Sequence, residues 1–161
     1  MFQHMFPLLF IACSSLAVAT PAAGQALSVG DEDPVLVALS EKIDRFFENL
    51  ISTNLDQKDA FEDLLAGGPV AGQDDKIKEL VTKTKEFDDK FGKYHAHERI
   101  TADRVGKDLV MLKYLYKAEN HPVVWYFTYY RDLRQPEASS ESGSWTIIAV
   151  RFDTRIDLLG L

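Results

Sequence analysis

The chain has 161 residues, with 18 Lys and Arg against 25 Asp and Glu, a formal net charge of −7 and a pI near 5.0. An acidic surface repels phosphate backbones, and no run of Lys and Arg reverses this locally, so nucleic acid is not an expected partner. At 46% hydrophobic and 27% charged residues the composition is that of an ordinary globular protein, and the length is that of one domain.

The first 26 residues contain no Asp, Glu, Lys or Arg. Met5–Ala12 is apolar and Ser14–Ala26 is small and Ala-rich, which is the pattern of a secretory signal peptide. Gly24-Gln25-Ala26 offers small residues for cleavage before Leu27, and Ala17-Val18-Ala19 is a second candidate. The segment before the apolar core, Met1–Met5, departs from the pattern in having no Lys or Arg. The apolar core is too short for a bilayer, which takes about 20 apolar residues, so the membrane is met only through this segment during export. Cys13 is the single cysteine. Leu9-Phe10-Ile11-Ala12-Cys13 is a poor version of a bacterial lipobox, which makes anchoring through Cys13 the secondary expectation. Cleavage after Ala26 leaves no cysteine for a disulfide, a nucleophile or a thiolate metal site, which fits a bacterial periplasm. The expected organisation is a signal peptide over 1–26, a linker over 27–33 and one domain over 34–161.

Asp33-Pro34 opens a helix, an N-cap acceptor followed by Pro at the first helical position. Leu36, Leu39, Ile43, Phe46, Phe47, Leu50 and Ile51 recur at helical spacing and predict an amphipathic helix from Pro34 to about Thr53. Asp56 caps a second, shorter helix to about Ala66, which Gly67-Gly68-Pro69 ends. No strand precedes those glycines and no Lys-Ser or Lys-Thr follows them, so they form no phosphate loop. Asp74 or Asp75 caps a third helix, with Ile77, Leu80, Val81, Thr84 and Phe87 on one side and Gly92 at its end.

From Tyr94 the period changes from helical to alternating. Tyr94, Ala96, Glu98, Ile100 and Ala102 form one side of a first strand, with His95, His97, Arg99 and Thr101 on the other. Three further strands follow, over Leu109–Glu119, Val123–Arg131 and Trp145–Asp153, with a polar loop at 135–143 before the last. The expected fold class is α+β: three N-terminal helices packed on a curved antiparallel sheet of about four strands.

If parity holds along each strand, one face carries Lys113, Lys117, Trp125, Phe127 and Trp145. The other carries Tyr114, Tyr116, Tyr126 and Tyr130. Both are too apolar for a sheet wetted on one side. The three helices cover only one face, so Trp125, Phe127 and Trp145 are candidates for a homodimer interface on the outer face. Glu98, Tyr114, Tyr116, Tyr126 and Tyr130 are the candidate ligand-pocket residues. An inward carboxylate among phenols would be desolvated, the usual character of a site residue. The plainer alternative is that the tyrosines are core and that Glu98 lies in water, at an edge or turned out by a bulge. His95 and His97 make only half of a tetrahedral metal site, and no His-Glu-x-x-His or Gly-x-Ser-x-Gly pattern occurs, so no metal, cofactor or catalytic residue is expected.

Phe46-Phe47, Leu64-Leu65, Gly68-Pro69-Val70-Ala71-Gly72, Tyr114-Leu115-Tyr116-Lys117, His121-Pro122, Trp125-Tyr126-Phe127 and Trp145 with Arg151-Phe152-Asp153 carry a resemblance. In these, and in placing three helices before a long-stranded sheet, the chain resembles small exported bacterial proteins of the NTF2-like (cystatin-like α+β cone) superfamily. The resemblance covers about Pro34 to Leu159. It implies a curved sheet wrapped round a helix, an open cavity and dimerisation through the outer sheet face, and it supplies no catalytic residues. The expected function is binding of a small, partly apolar ligand or a partner protein without catalysis. The alternatives are acid/base chemistry of isomerase or hydrolase type at Glu98 and the pocket tyrosines, or an interaction dimer with no pocket.

Overall fold

The computed structural model describes residues 33–131 and 145–155. The expected signal segment, most of the linker, the polar loop at 135–143 and the tail beyond 155 lie outside the described residues. Helix α1 spans Pro34–Ile51, α2 Gln57–Leu65 and α3 Asp74–Lys85; a single turn, α4, spans Phe87–Phe91. Strands β1 (Tyr94–Val105), β2 (Leu109–Ala118), β3 (Val123–Arg131) and β4 (Trp145–Asp153) form one antiparallel sheet in the order β1-β2-β3-β4. The molecule is therefore α+β, with helices and strands segregated along the chain.

The first two helices start at the caps the sequence dictates, whereas α3 starts from Gln73 with no side-chain cap, so neither Asp74 nor Asp75 caps it and both lie inside its first turn. Asp33 Oδ1 accepts from the Val35 amide at 2.9 Å and Asp56 Oδ1 from the Lys58 amide at 3.0 Å, each satisfying an otherwise orphaned donor. Asp33 also pairs with Arg104 on β1 at 2.7 Å, tying the start of α1 to the far end of that strand. The third helix ends earlier than expected. The buried Thr84 turns its hydroxyl back on the Leu80 carbonyl at 2.7 Å, a bond that bends helices, and the chain restarts as α4 with Phe87 in the core. Gly92 closes α4 at φ 83° and ψ 178°, a conformation open essentially to glycine alone.

The core lies between the helices and one face of the sheet. Phe46 and Phe47 of α1 stand over Trp125 and Phe127 of β3, with all four ring-to-ring distances between 5.6 and 6.0 Å. Phe61 of α2 stacks on Trp125 at 6.4 Å, and Phe87 of α4 meets it edge-on at 5.9 Å. Trp125 and Phe127 have no exposed surface, and Trp145 is partly buried against the same core with Arg104 over its ring at 5.7 Å.

This corrects the face assignment that made Trp125, Phe127 and Trp145 interface candidates. In the β2–β3 hairpin Leu112 faces Phe127 and Tyr114 faces Trp125. Residues of opposite parity are thus partners, and directly opposed residues share a face. The even-numbered side of β2 and the odd-numbered side of β3 turn together toward the helices, and Tyr126 and Tyr130 turn away from them. An extra residue, Ile148, then interrupts β4 between the pairs Thr128–Ala149 and Tyr129–Ile147. This bulge lets Ile147 and, beyond it, Val150 and Phe152 all reach the helix side.

One close approach fixes the helical layer to the strands, and one ion pair ties the sheet to itself. A Cβ on Gly68 would lie 2.3 Å from the Ile147 carbonyl oxygen, so the turn after α2 presses on β4 as only glycine permits. Arg131 Nε donates to Asp108 Oδ1 at 2.7 Å, and its amide donates to the Asp108 carbonyl at 2.9 Å, clamping the β1–β2 turn to the end of β3.

Truncating Trp125 empties the centre of this aromatic stack. Trp125→Ala should cost about 3–5 kcal/mol in urea denaturation. Trp125→Glu should fail to fold rather than yield a soluble monomer, a difference that sedimentation and circular dichroism read directly.

Candidate functional site

A cleft of about 420 Å³ lies between α1 and β1, lined by Ser40, Asp44, His97, Glu98, Arg99 and Tyr114. Its strand wall depends on the first of two bulges in β1. Ala96 to Arg99 keep one register with β2, while His95 and Ile100 are extra residues at either end of that run. Each bulge inverts the strand's parity. His97, opposite Tyr116, and Arg99, opposite Tyr114, therefore turn toward the helices, although simple alternation from Tyr94 puts them outside. Ser40 and Asp44, one turn apart on α1, come down on them from the flank of the apolar stripe.

The polar groups hold one another. Arg99 Nη1 donates to Ser40 Oγ at 2.6 Å, and the Tyr114 hydroxyl reaches the Ser40 carbonyl at 3.4 Å. His97 is engaged at both ring nitrogens, Nε2 with Asp44 Oδ1 at 3.2 Å and Nδ1 with the Tyr94 hydroxyl at 2.6 Å. Its ring lies flat on Phe47, with centroids 4.7 Å apart. Ser40 and Tyr114 are buried, and the Asp44 side chain is 47% exposed at the mouth.

Only two of the pocket candidates line this cleft. Tyr114 forms part of its wall. Glu98 stands at its rim, 56% exposed, with its carboxylate held by Lys117. It is not an inward, desolvated acid, because the bulge after Tyr94 turns it out. Tyr116 is packed in the core between Phe47, Phe87 and Tyr94. Tyr126 lies on the outer sheet face with the Arg151 guanidinium 4.2 Å over its ring, and Tyr130 is exposed on the same face. The sequence pattern brings up His97 only as half of a metal site, and does not mark Ser40, Asp44 or Arg99 as site residues. The available signal was Ser40 and Asp44 spaced one turn apart beside an apolar stripe; the bulges left no mark in the sequence.

The buried tyrosines hold their protons here. Burial pushes the Tyr114 and Tyr116 hydroxyls up to about 12, and burial with the nearby Glu48 and Asp44 carboxylates raises Tyr94. Burial raises Tyr129 as well. None of them is positioned to act as a phenolate base. Ser40 is not an activated nucleophile either, because its neighbour is a guanidinium that cannot accept its proton. His95 is exposed while His97 is turned to α1, and among the described residues no group of three or more His, Cys, Asp or Glu could hold a metal ion.

A second depression, of about 320 Å³, separates α3 from β4 and is floored by Leu65, Val70, Leu80 and Phe152. It has no convergent set of buried polar groups comparable to that of the α1–β1 cleft. No family model, no curated protein and no solved structure matches the chain.

The tyrosine shifts set a pH dependence. Tyr114 and Tyr116 titrate near 12 in the folded chain and near 10 when unfolded, so the unfolded state loses its protons first. The stability they contribute is fully present below pH 10 and is lost as pH rises from 10 through about 12. Thermal midpoints should fall across that window, and less steeply in Tyr116→Phe, whose hydroxyl no longer titrates.

Proposed function

We propose that this chain is an exported, non-catalytic binding protein on an NTF2-like scaffold, taking a small polar ligand in the α1–β1 cleft. The observation that carries the reading is the convergence of Ser40, Asp44, His97, Arg99 and Tyr114 from three elements on one cleft. Ligand sites are commonly concave, with a few fixed polar groups. The scaffold reading is supported by three helices preceding a four-stranded antiparallel sheet. The export reading is supported by the 26 uncharged residues at the start.

The interior expected to hold a partly apolar ligand is filled by Phe46, Phe47, Phe61, Trp125 and Phe127, which favours the polar flank as the site we propose. Absence of turnover is supported by the state of the groups in the cleft. A general base must be within reach of the proton it takes. Both His97 nitrogens are engaged, the Tyr114 hydroxyl stays protonated, and Glu98 is neutralised by Lys117. An enzyme built on Glu98 with Tyr126 or Tyr130 lacks proximity, since the two tyrosines are not among the residues lining the cleft.

Native mass spectrometry of protein taken from the periplasm of an expressing bacterium tests both parts. The expected spectrum is a chain beginning at Leu27 that carries an additional small mass, with that mass reduced in Asp44→Asn and Arg99→Gln. A ligand-free chain in the wild type contradicts the binding reading, and a retained 1–26 segment contradicts export by cleavage. The subunit count from the same spectrum bears on the expected homodimer, for which Trp125 and Phe127 offer no exposed patch.

A further inference from the structure

The depression between α3 and β4 has an apolar floor and one surplus positive charge on its rim, and we infer that it binds a medium-chain carboxylate, a small molecule with one anionic head and an alkyl tail. It shares no lining residue with the α1–β1 cleft and is a separate site. Leu65 closes its floor, while Val70, Leu80, Val150 and Phe152 pack on the core and keep part of their surface open. Its volume of about 320 Å³ is that of a small-molecule site. A further hollow of about 590 Å³, floored by Phe87 and Phe91, adjoins it, since Lys83 and Phe152 line both. The two form one groove along the helix side of β4, and an alkyl tail laid in it would take apolar surface of both partners out of water.

The charge on the rim follows from a repeat in the sequence. Lys-x-Lys-Glu and a large apolar residue occupy 76–80 and again 83–87. Lys76, Glu79, Leu80 and Lys83 are spaced i, i+3, i+4 and i+7 and share one side of α3. Each glutamate holds the lysine one turn on: Lys83 donates to Glu79 at 2.6 Å, and Lys90 donates to Glu86. Lys76 heads the row, and the residue one turn before it is Gly72, so no glutamate serves it. The Glu79 carboxyl is held below the usual range first by its bond to Lys83 and then by the charges of Lys83 and Lys76. Two ammonium groups thus face one carboxylate. Asp74, in the same turn as Lys76, is drawn to Lys58 at 3.8 Å and does not line the depression. Arg151 adds to the wall, but its guanidinium is stacked on Tyr126 and is left out of this balance. The adjoining hollow is neutral, with Lys83 and Lys90 against Glu86 and Asp153. The groove is therefore positive at its Lys76 end and aromatic at its Phe91 end, which places the head at Lys76 and the tail toward Phe152. Lys76 and Lys83 lie roughly 10 Å apart along the helix, a distance that an alkyl chain of medium length covers. A single surplus charge suits a monoanion and leaves a dianion half compensated.

The test is calorimetric titration of the full chain, below micelle-forming concentrations, with octanoate, octanamide, which lacks the charge, octylammonium, which reverses it, and butyrate, which shortens the tail. Octanoate should bind at least threefold more tightly than octanamide, the modest gain of an exposed ion pair, and at least tenfold more tightly than butyrate. Octylammonium should bind more weakly than octanamide. Lys76→Gln should abolish the preference for octanoate over octanamide, and Leu80→Gln should weaken both at least fivefold. Thermal melts establish that the variants are folded, and the wild-type ranking stands without them. Methyl ¹H–¹³C spectra of the wild type locate the site: octanoate should shift Val70, Leu80 and Val150. Equal affinity for octanoate and octanamide, or tighter binding of octylammonium, overturns the carboxylate assignment. Shifts confined to other methyls, or no binding by any probe, overturn the site itself.

Discussion

The packing of Phe46 and Phe47 on Trp125 and Phe127 is the contact on which the rest of the described structure depends. Four rings from one helix and one strand meet at 5.6 to 6.0 Å, and α2 and α4 add Phe61 and Phe87 to the same tryptophan. Aromatic pairs at such separations contribute about 0.5–1.5 kcal/mol each beyond the area they bury. Their geometry also fixes where α1 lies. With Phe47 held over the sheet, Asp44 one turn back and Ser40 two turns back fall beside β1 rather than over the middle of the core. The cleft is thus a by-product of where the aromatic stack ends. Polar groups occupy the flank because the apolar stripe of α1 has run out there, and they bond to one another because half-buried polar groups without partners are costly.

Much of the fold was legible in the sequence for local reasons. Asp33-Pro34 and Asp56 mark helix starts through cap chemistry, the stripe from Leu39 to Leu50 marks the buried side of α1, and Gly92 marks the end of the helical half. The four strands follow from alternation and from the turns at Gly106 and His121-Pro122. The candidate site was not legible, because it depends on quantities that alternation does not encode. One is the register of the β2–β3 hairpin, which pairs odd positions with even ones and so carries Trp125 to the helix side. The other is the set of single-residue bulges at His95, Ile100 and Ile148. An extra residue in a strand reverses the facing of everything until the next one. Reading β1 as unbroken turns Glu98 inward and His97 outward, the reverse of what the bulged strand does.

That reversal changes the chemistry. An inward Glu98 among phenols would have been a desolvated acid, a plausible start for proton transfer. The bulged strand instead presents a histidine saturated at both nitrogens, an arginine anchored to a serine and a tyrosine that keeps its proton. These groups are fixed by one another, which suits the proposed binding role. The same bonds stiffen the site, so a ligand would meet walls already in place and would not have to order them, which favours affinity in a cleft of modest size.

His97 faces α1 and is held between Asp44 and Tyr94, and the cleft stands or falls with that placement. Long-range ¹H–¹⁵N spectra of the imidazoles at neutral pH, with His97 assigned through His97→Gln, test it most directly. The His97 ring N–H should exchange slowly with water and Asp44→Asn should shift its resonance, while His95 should exchange fast and be indifferent to that substitution. A His97 ring that exchanges as fast as that of His95, and that ignores Asp44→Asn, would contradict the bulged strand and the cleft built on it.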